Sequence, residues 1–485
     1  MIVPPAGDGV TRVVVARPAQ VQGATDLFVL DVDAAGGPPV ERLLAENVFP
    51  TSYGGCPIAT AGCLHTDARG RLLVFSGISI GGNGANGADM ARLDPLTGDR
   101  TDLGLVTFVT ASPSNQRLLV YRPGADAERI VYEADDSAVP IAAGSGGEFA
   151  GEVLYYVTAQ NEGMRLQPGG TPERLATGVD LFSPKIVDGG VIVVLRRPTA
   201  DATLFTYALL DAVTLQETPS PLATSYFDLS PDGHWLVATD YETGVMTFAD
   251  WRTGARDVLD TMLPQNAPYY QWRPGHLELW LPNGPNGPPT TWIKTPGVAA
   301  VQVPRTAAAL ANHDTGIYST FTPNGAYWFS TGDGANEGST MVGSADDPTG
   351  PRFILTPGVT GNGGFWQTPD GLLVTDFWTS TPEATNVYVV NPATGDGRAA
   401  GEKGFVIGVG EKRLVVNQHL VNHGGDLTVF DMATGQATIL APEFATAAAV
   451  EPQGPDKVAP GAAIAFQFQA RFPSPYDGIW LATVP

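Results

Sequence analysis

The chain has 485 residues, 43% of them apolar, and a formal net charge of −23 from 50 acidic and 27 basic side chains. That apolar content is enough for a sizeable core and excludes a disordered chain. The negative field, with no run of Lys or Arg to offset it, excludes nucleic-acid binding, and no stretch reaches the roughly 18 apolar residues of a membrane span.

The 58 Gly and 41 Pro are scattered rather than clustered, as in a chain of many short strands joined by turns. The opening "MIVPPAGDGV" lacks the basic start and apolar core of a signal peptide. A first strand–loop–strand unit begins at Gly7. After it, Cys56 and Cys63 sit in the Gly-rich "GGCPIATAGC". Their spacing is too wide for a CxxC site, so a disulfide pinning an irregular loop is expected, with two reduced thiols as the alternative. A disulfide places the protein outside the cytoplasm.

The next units begin at Asp67, Ser112, Gly151 and Asp188, and the sharpest at Ser230, "SPDGHWLVATDYETGVMTFADWRTG". Here Pro231, Asp232 and Gly233 supply turn chemistry, "WLVAT" is a nearly continuous apolar run expected of a strand covered on both faces, "DYETG" is a polar loop, "VMTFAD" a second strand and "WRTG" a closing turn. Further copies begin at Arg273, Thr322, Thr368, Gly410 and Gly461, giving eleven units in all. They are spaced by roughly 35 to 60 residues, the range of four-stranded propeller blades.

The "SPDG" turn, the apolar strand and the second strand ending in "D…TG" resemble the WD40-like propeller repeat of the TolB type, or PD40. Pro231-Asp232-Gly233 and Pro369-Asp370-Gly371 match its turn, and Thr253-Gly254, Thr394-Gly395 and Thr434-Gly435 its closing turn. The resemblance implies an all-β propeller of four-stranded antiparallel blades and extracytoplasmic binding roles. The expected architecture is a single propeller over residues 1–485, of eight to ten blades, with its terminal units adjacent at ring closure. Two smaller tandem propellers are the alternative.

The loops between second and third strands tolerate variation without disturbing a core and are the natural place for a site. The residues they offer are Arg196, Arg197 and Asp201; Asp240, Tyr241 and Glu242; Asn283 and Asn286; Asp333 and Glu337; Asp376, Phe377 and Trp378; His419, Asn422, His423 and Asp426; and Arg471 with Tyr476. In "NQHLVNHGGD", read as a hairpin loop, His419, His423 and Asp426 are adequate ligands for a transition metal, against a plain solvated loop. "STGDGANEGS" and "NPATGDGR" have calcium-like oxygen content without the full loop pattern, and ordinary turns are the alternative. No cofactor is otherwise expected.

No nucleophile elbow is present, "SPDGHW" falls one residue short of a sialidase Asp-box, and no hydrolase domain follows the repeats. Tyr241, Phe377, Trp378 and Tyr476 beside carboxylates suit a sugar or peptide, or else plug the loops against one another. The expected function is therefore a secreted or periplasmic binding or scaffolding propeller, non-catalytic, presenting this face to a protein, peptide or glycan, in a mature form without its signal peptide. The alternative is a propeller-class polysaccharide lyase or glycoside hydrolase using a metal or acidic residues there.

Overall fold

The computed structural model describes residues 3, 8–21, 24–33, 38–48, 67, 69–76, 88–106, 108–122, 129–142, 144, 146–188, 190–199, 205–221, 227–239, 246–259, 269–273, 276–281, 290–302, 319–321, 327–331, 339–344, 352–357, 365–368, 370–377, 386–394, 396–421, 424–450, 458–468 and 478–485. Among them every regular element is a strand, and every pairing between neighbours in the sheets is antiparallel.

The strands form ten sheets, each a meander in which chain neighbours are hydrogen-bonded neighbours. Seven have four strands, over residues 108–141, 147–177, 181–219, 227–259, 269–302, 319–357 and 365–401. The sheets over 10–48 and 72–106 have three strands and the sheet over 405–483 has six. The four-stranded antiparallel meander is the propeller blade, and the chain is an all-β propeller protein. In each of the seven four-stranded sheets the repeat read from the sequence is the central hairpin: "WLVAT" is the strand Trp235–Thr239, paired with Met246–Asp250. The repeats at Gly410 and Gly461 share the six-stranded sheet, so eleven repeats occupy ten sheets.

The chain divides into two compact units, one of residues 3–225 with 251–254 and the other of residues 226–250 with 255–485. Within each unit, consecutive sheets stack face to face. Leu154 and Tyr156 pack with Leu119 and Val131 of the preceding sheet, whereas Tyr155 and Val157 on the opposite face pack with Val193 and Leu195 of the following one. In the second unit Val374, Val387 and Val389 meet Leu414, Val416 and Phe430. A central strand covered on both faces has no polar side to show, which is why these strands read as unbroken apolar runs.

The turns repeat one grammar. At Ser230 the backbone N–H donates to Trp235 O (2.8 Å), the Gly233 N–H to Ser230 O (2.8 Å), and the Trp235 N–H to Ser230 Oγ (2.8 Å). Thr368 and Asp67 fill the same place: Leu372 N–H donates to Thr368 Oγ1 (3.0 Å) and Arg71 N–H to Asp67 Oδ1 (3.0 Å). Any short side chain with an acceptor oxygen serves, since its task is to occupy a backbone N–H. Closing turns use an Asp to accept two successive N–H groups. Asp431 Oδ1 takes Ala433 and Thr434 (3.0 and 2.8 Å), and Asp211 Oδ1 takes Val213 and Thr214 (2.8 and 2.9 Å).

In closing turns the last residue is left-handed, with φ of 82° at Gly98, 73° at Gly254 and 77° at Gly435. Leu215 stands there in the sheet over 181–219, at φ 59° and half exposed. A side chain in this region costs about 1–2 kcal/mol, partly offset by the extra freedom glycine has when unfolded. Leu215→Gly is therefore expected to stabilise the protein by about 0.5–1 kcal/mol, read as a higher urea midpoint. A lower midpoint would mean that Leu215 makes contacts worth more than its strain.

Arginines tie the turn ends of neighbouring sheets, some at the surface and some buried. Arg42 donates to Pro95 O (2.6 Å), Arg165 to Ala212 O (2.7 Å) and Arg398 to Ala433 O (3.3 Å), each in a closing turn of the next sheet. Arg71 pairs with Asp67 (2.8 Å) and, across the gap, with Asp136 (2.6 Å). Arg92, wholly buried, pairs with Asp136 and donates to Glu133 O (3.0 Å). Arg117 is held by Glu133 of its own sheet (2.9 Å) and donates to Glu152 O (2.5 Å) and Leu166 O (3.0 Å) of the next.

Candidate functional site

In an antiparallel meander the first and last turns of a blade lie at one end and the connection between the second and third strands at the other. The described turns of the first end are short and closed by their own hydrogen bonds. Most connections of the second end are longer and unlike one another in sequence: residues 77–87, 122–128, 199–204, 240–245, 282–289, 332–338 and 378–385. Residues 158–161 instead form a short turn closed by its own bonds, Thr158 N–H to Glu162 O (3.0 Å), and the connection 422–423 is shorter still.

Of the residues expected there, Asp201, Asp240, Tyr241, Glu242, Asn283, Asn286, Asp333, Glu337, Trp378, Asn422, His423, Arg471 and Tyr476 lie outside the described residues, as do Cys56 and Cys63 and the "GDGANEG" run. The others fall in strands rather than loops. Arg196 and Arg197 lie in Gly190–Pro198, opposite Tyr207 and Thr206, and Asp376 lies in Leu373–Phe377, opposite Val387. The ladder continues as long as a partner strand does, so a polar side chain alone does not end a strand.

Arg196 donates to both carboxylate oxygens of Asp180 (2.9 and 3.1 Å) and lies over the Phe205 ring (4.5 Å). The bond to Asp180 outweighs burial and raises the guanidinium pKa. Arg197 makes a two-pronged pair with Glu217 (2.5 and 2.8 Å) and donates to Thr177 O (3.2 Å). Each arginine thus carries a carboxylate of its own sheet, and a ligand anion would have to compete with it.

Within "NQHLVNHGGD" the described residues, 417–421 and 424–426, lie in the two strands of a long hairpin, Arg413–Val421 against Gly424–Asp431. His419 sits at a register shift between Gln418 and Val421, with φ 55°. Its N–H donates to Glu402 O (2.8 Å), and Nδ1 lies 2.8 Å from Asp426 Oδ2. The bulge turns an exposed imidazole toward a carboxylate that regular pairing would set beside Gln418. Among the described residues no three His, Cys, Asp or Glu side chains converge. "NPATGDGR" is a closing turn: Asn391 N–H donates to Asp396 O (2.7 Å) and Asn391 Oδ1 accepts from Ala393 N–H (3.0 Å).

At the opposite, turn end of the second unit is a cavity of about 110 Å³, lined by Ser230, Asp232, Trp235, Trp272, Thr295 and Pro296. Sequence reading assigned "SPDGHW" to a turn and missed this cavity, because half of its wall comes from the next sheet. A signal was present: "RLLV" at Arg71 and Arg117 is matched by "WLVA" at Trp235.

No protein-family model matches the chain, and no curated protein matches it. Among solved structures, the β-propeller domain of the Trilobed protease from Pyrococcus furiosus is 10% identical, over 69% of this chain and 98% of that one, with a TM-score of 0.30. Porphyromonas gingivalis dipeptidyl peptidase 4 is 11% identical, over 96% of this chain and 64% of that one, with a TM-score of 0.33. A eukaryotic initiation factor is 14% identical, over 70% and 87%, with a TM-score of 0.39. These likenesses are distant, and the assignment to the propeller class rests on the sheet order itself.

Proposed function

We propose that this protein is a non-catalytic binding or scaffolding propeller that presents the connections between second and third strands to a protein, peptide or glycan. The observation that carries this reading is a contrast between the two blade ends: self-bonded turns of one grammar at one, and at the other connections that are in most blades longer and mutually unlike, 158–161 and 422–423 excepted. A surface assembled from such connections varies without cost to the cores between sheets. The aromatics Tyr241 and Trp378 and the carboxylates Asp240, Glu242, Asp333 and Glu337 belong to these connections in sequence and supply stacking faces and hydrogen-bond acceptors.

The repeats are of the WD40-like TolB type in this reading, on the strength of the Pro-Asp-Gly turns at Asp232 and Asp370, and the protein works outside the cytoplasm with Cys56 bonded to Cys63. Intact mass before and after alkylation tests the last point, and two alkylatable thiols in the native protein would remove the argument for export. The binding role is tested by screening immobilised protein against glycan and peptide arrays and repeating the screen with Tyr241→Ala/Trp378→Ala. A retained ligand whose binding falls at least tenfold in the double variant is the expected result. Turnover of a screened glycan would overturn the non-catalytic reading, and binding unchanged in the double variant would move the site away from these connections.

A further inference from the structure

The cavity at Trp235 stands where another pair of sheets holds an arginine. Ser112 and Ser230 open equivalent turns, each closed by a backbone bond from the serine N–H to the residue five positions on, Arg117 O (2.9 Å) and Trp235 O (2.8 Å). Arg117 and Trp235 are therefore equivalent. In the following sheet, Phe149 pairs with Leu154 and Trp272 with Leu277, each one step from the first turn. Likewise "LQPG" from Leu166 and "KTPG" from Lys294 occupy the same closing turn. The Arg117 guanidinium lies 5.8 Å from the Phe149 ring centre and donates to Leu166 O (3.0 Å) and Gln167 O (3.4 Å). The counterparts of Phe149 and Gln167 are Trp272 and Thr295, two of the cavity's walls.

We infer that this cavity is a guanidinium socket left unfilled by its own chain, and that it binds the guanidinium group of a ligand, such as an arginine side chain. The chemistry fits in three respects. Trp235 and Trp272 are aromatic walls, and a guanidinium is held well over an indole face. Among the described residues, the side-chain hydrogen bonds of Asp232, from Ser230 Oγ (2.5 Å) and His234 N–H (3.0 Å), fall on Oδ1. That leaves Oδ2 as acceptor for a planar fork of N–H donors. The neighbouring Lys294 ammonium is already neutralised, since it donates to Asp257 Oδ2 (2.6 Å) and to Val298 O (2.5 Å). This site lies at the turn end of its blade, away from the connections to which binding is assigned above, and stands independently of that assignment.

The test is titration of the full chain with N-acetylarginine amide, followed by tryptophan fluorescence and calorimetry, beside N-acetylcitrulline amide, which has the same shape without the charge. Saturable binding of the arginine compound, at least tenfold tighter than the citrulline compound and weakened at least tenfold by Asp232→Asn, is the expected result. Asn keeps the turn's acceptor oxygen, so this variant separates lost charge from lost fold. Trp235→Arg supplies the missing group from within and is expected to abolish binding in a folded protein. If that variant does not fold, the Asp232→Asn comparison decides alone. Absence of saturable binding, equal affinity for the citrulline compound, or affinity unchanged in Asp232→Asn would each overturn the proposal and leave a water-filled cavity.

Discussion

Replacing Arg117 with alanine is expected to destabilise the first unit by about 3–5 kcal/mol, the cost of removing one partner from a buried charge pair. Only 1% of the Arg117 side chain is exposed, against 14% of its partner Glu133, so the weak energetics of surface ion pairs do not apply. Its Nε lies 3.0 Å from both Glu133 carboxylate oxygens, while its terminal nitrogens serve Glu152 O, Leu166 O and Gln167 O of the next sheet. The variant leaves a carboxylate without its cation and three carbonyls without this donor. Arg117→Lys is expected to recover less than half of the loss, because an ammonium cannot reproduce a planar fork reaching two sheets. Urea titration gives the overall change, and hydrogen exchange at Leu118–Tyr121 and Val153–Val157 reads it locally. A loss below about 1 kcal/mol would mean that water replaces the guanidinium without strain.

The second large effect concerns acid. Burial pushes the Asp136 carboxyl up, but bonds from Arg71 and Arg92 outweigh it and hold its pKa below the ordinary value. For a carboxyl lowered in the folded state, the stability it contributes is fully present above the unfolded pKa, about 3.9. It is lost as pH falls through the lower, folded value. Asp136→Asn is expected to cost about 2–3 kcal/mol at neutral pH, less than for a fully buried pair because the Asp136 side chain is 30% exposed. The gap should close as pH falls below about 4, where wild type loses the same interaction. Asn tolerates the left-handed backbone at this position (φ 69°), so the comparison isolates the charge. Stability curves of the two proteins from pH 7 to pH 2 check this. Parallel curves would show that the charge of Asp136 contributes nothing to acid stability.

The central hairpins were legible because their signals are local. "SPDGHW" specifies a turn whose closing bonds join Ser230 to Gly233 and Trp235, and the apolar run after it is long enough to declare a strand. Outer strands were much less legible. Glu217–Pro219 and Phe227–Leu229 are three residues each, with no period to detect. The candidate site was read less well. Polarity alone points to loops for Arg196, Arg197, Asp376 and His419, whereas each lies within a strand. The bulge that brings His419 to Asp426, marked in the structure by a positive φ, has no sequence signature.

The sequence by itself determined the all-β class, the repeat and the turn grammar, since each depends on residues within a few positions of one another. It also determined the net charge of −23. Only the tertiary structure decided how charge is used inside the molecule. Whether an arginine such as Arg117 is a solvated surface group or a buried tie depends on carbonyls 35 to 50 residues away, in a separate repeat. The same holds for the cavity at Trp235, whose walls come from two sheets and whose meaning lies in the arginine another repeat places there.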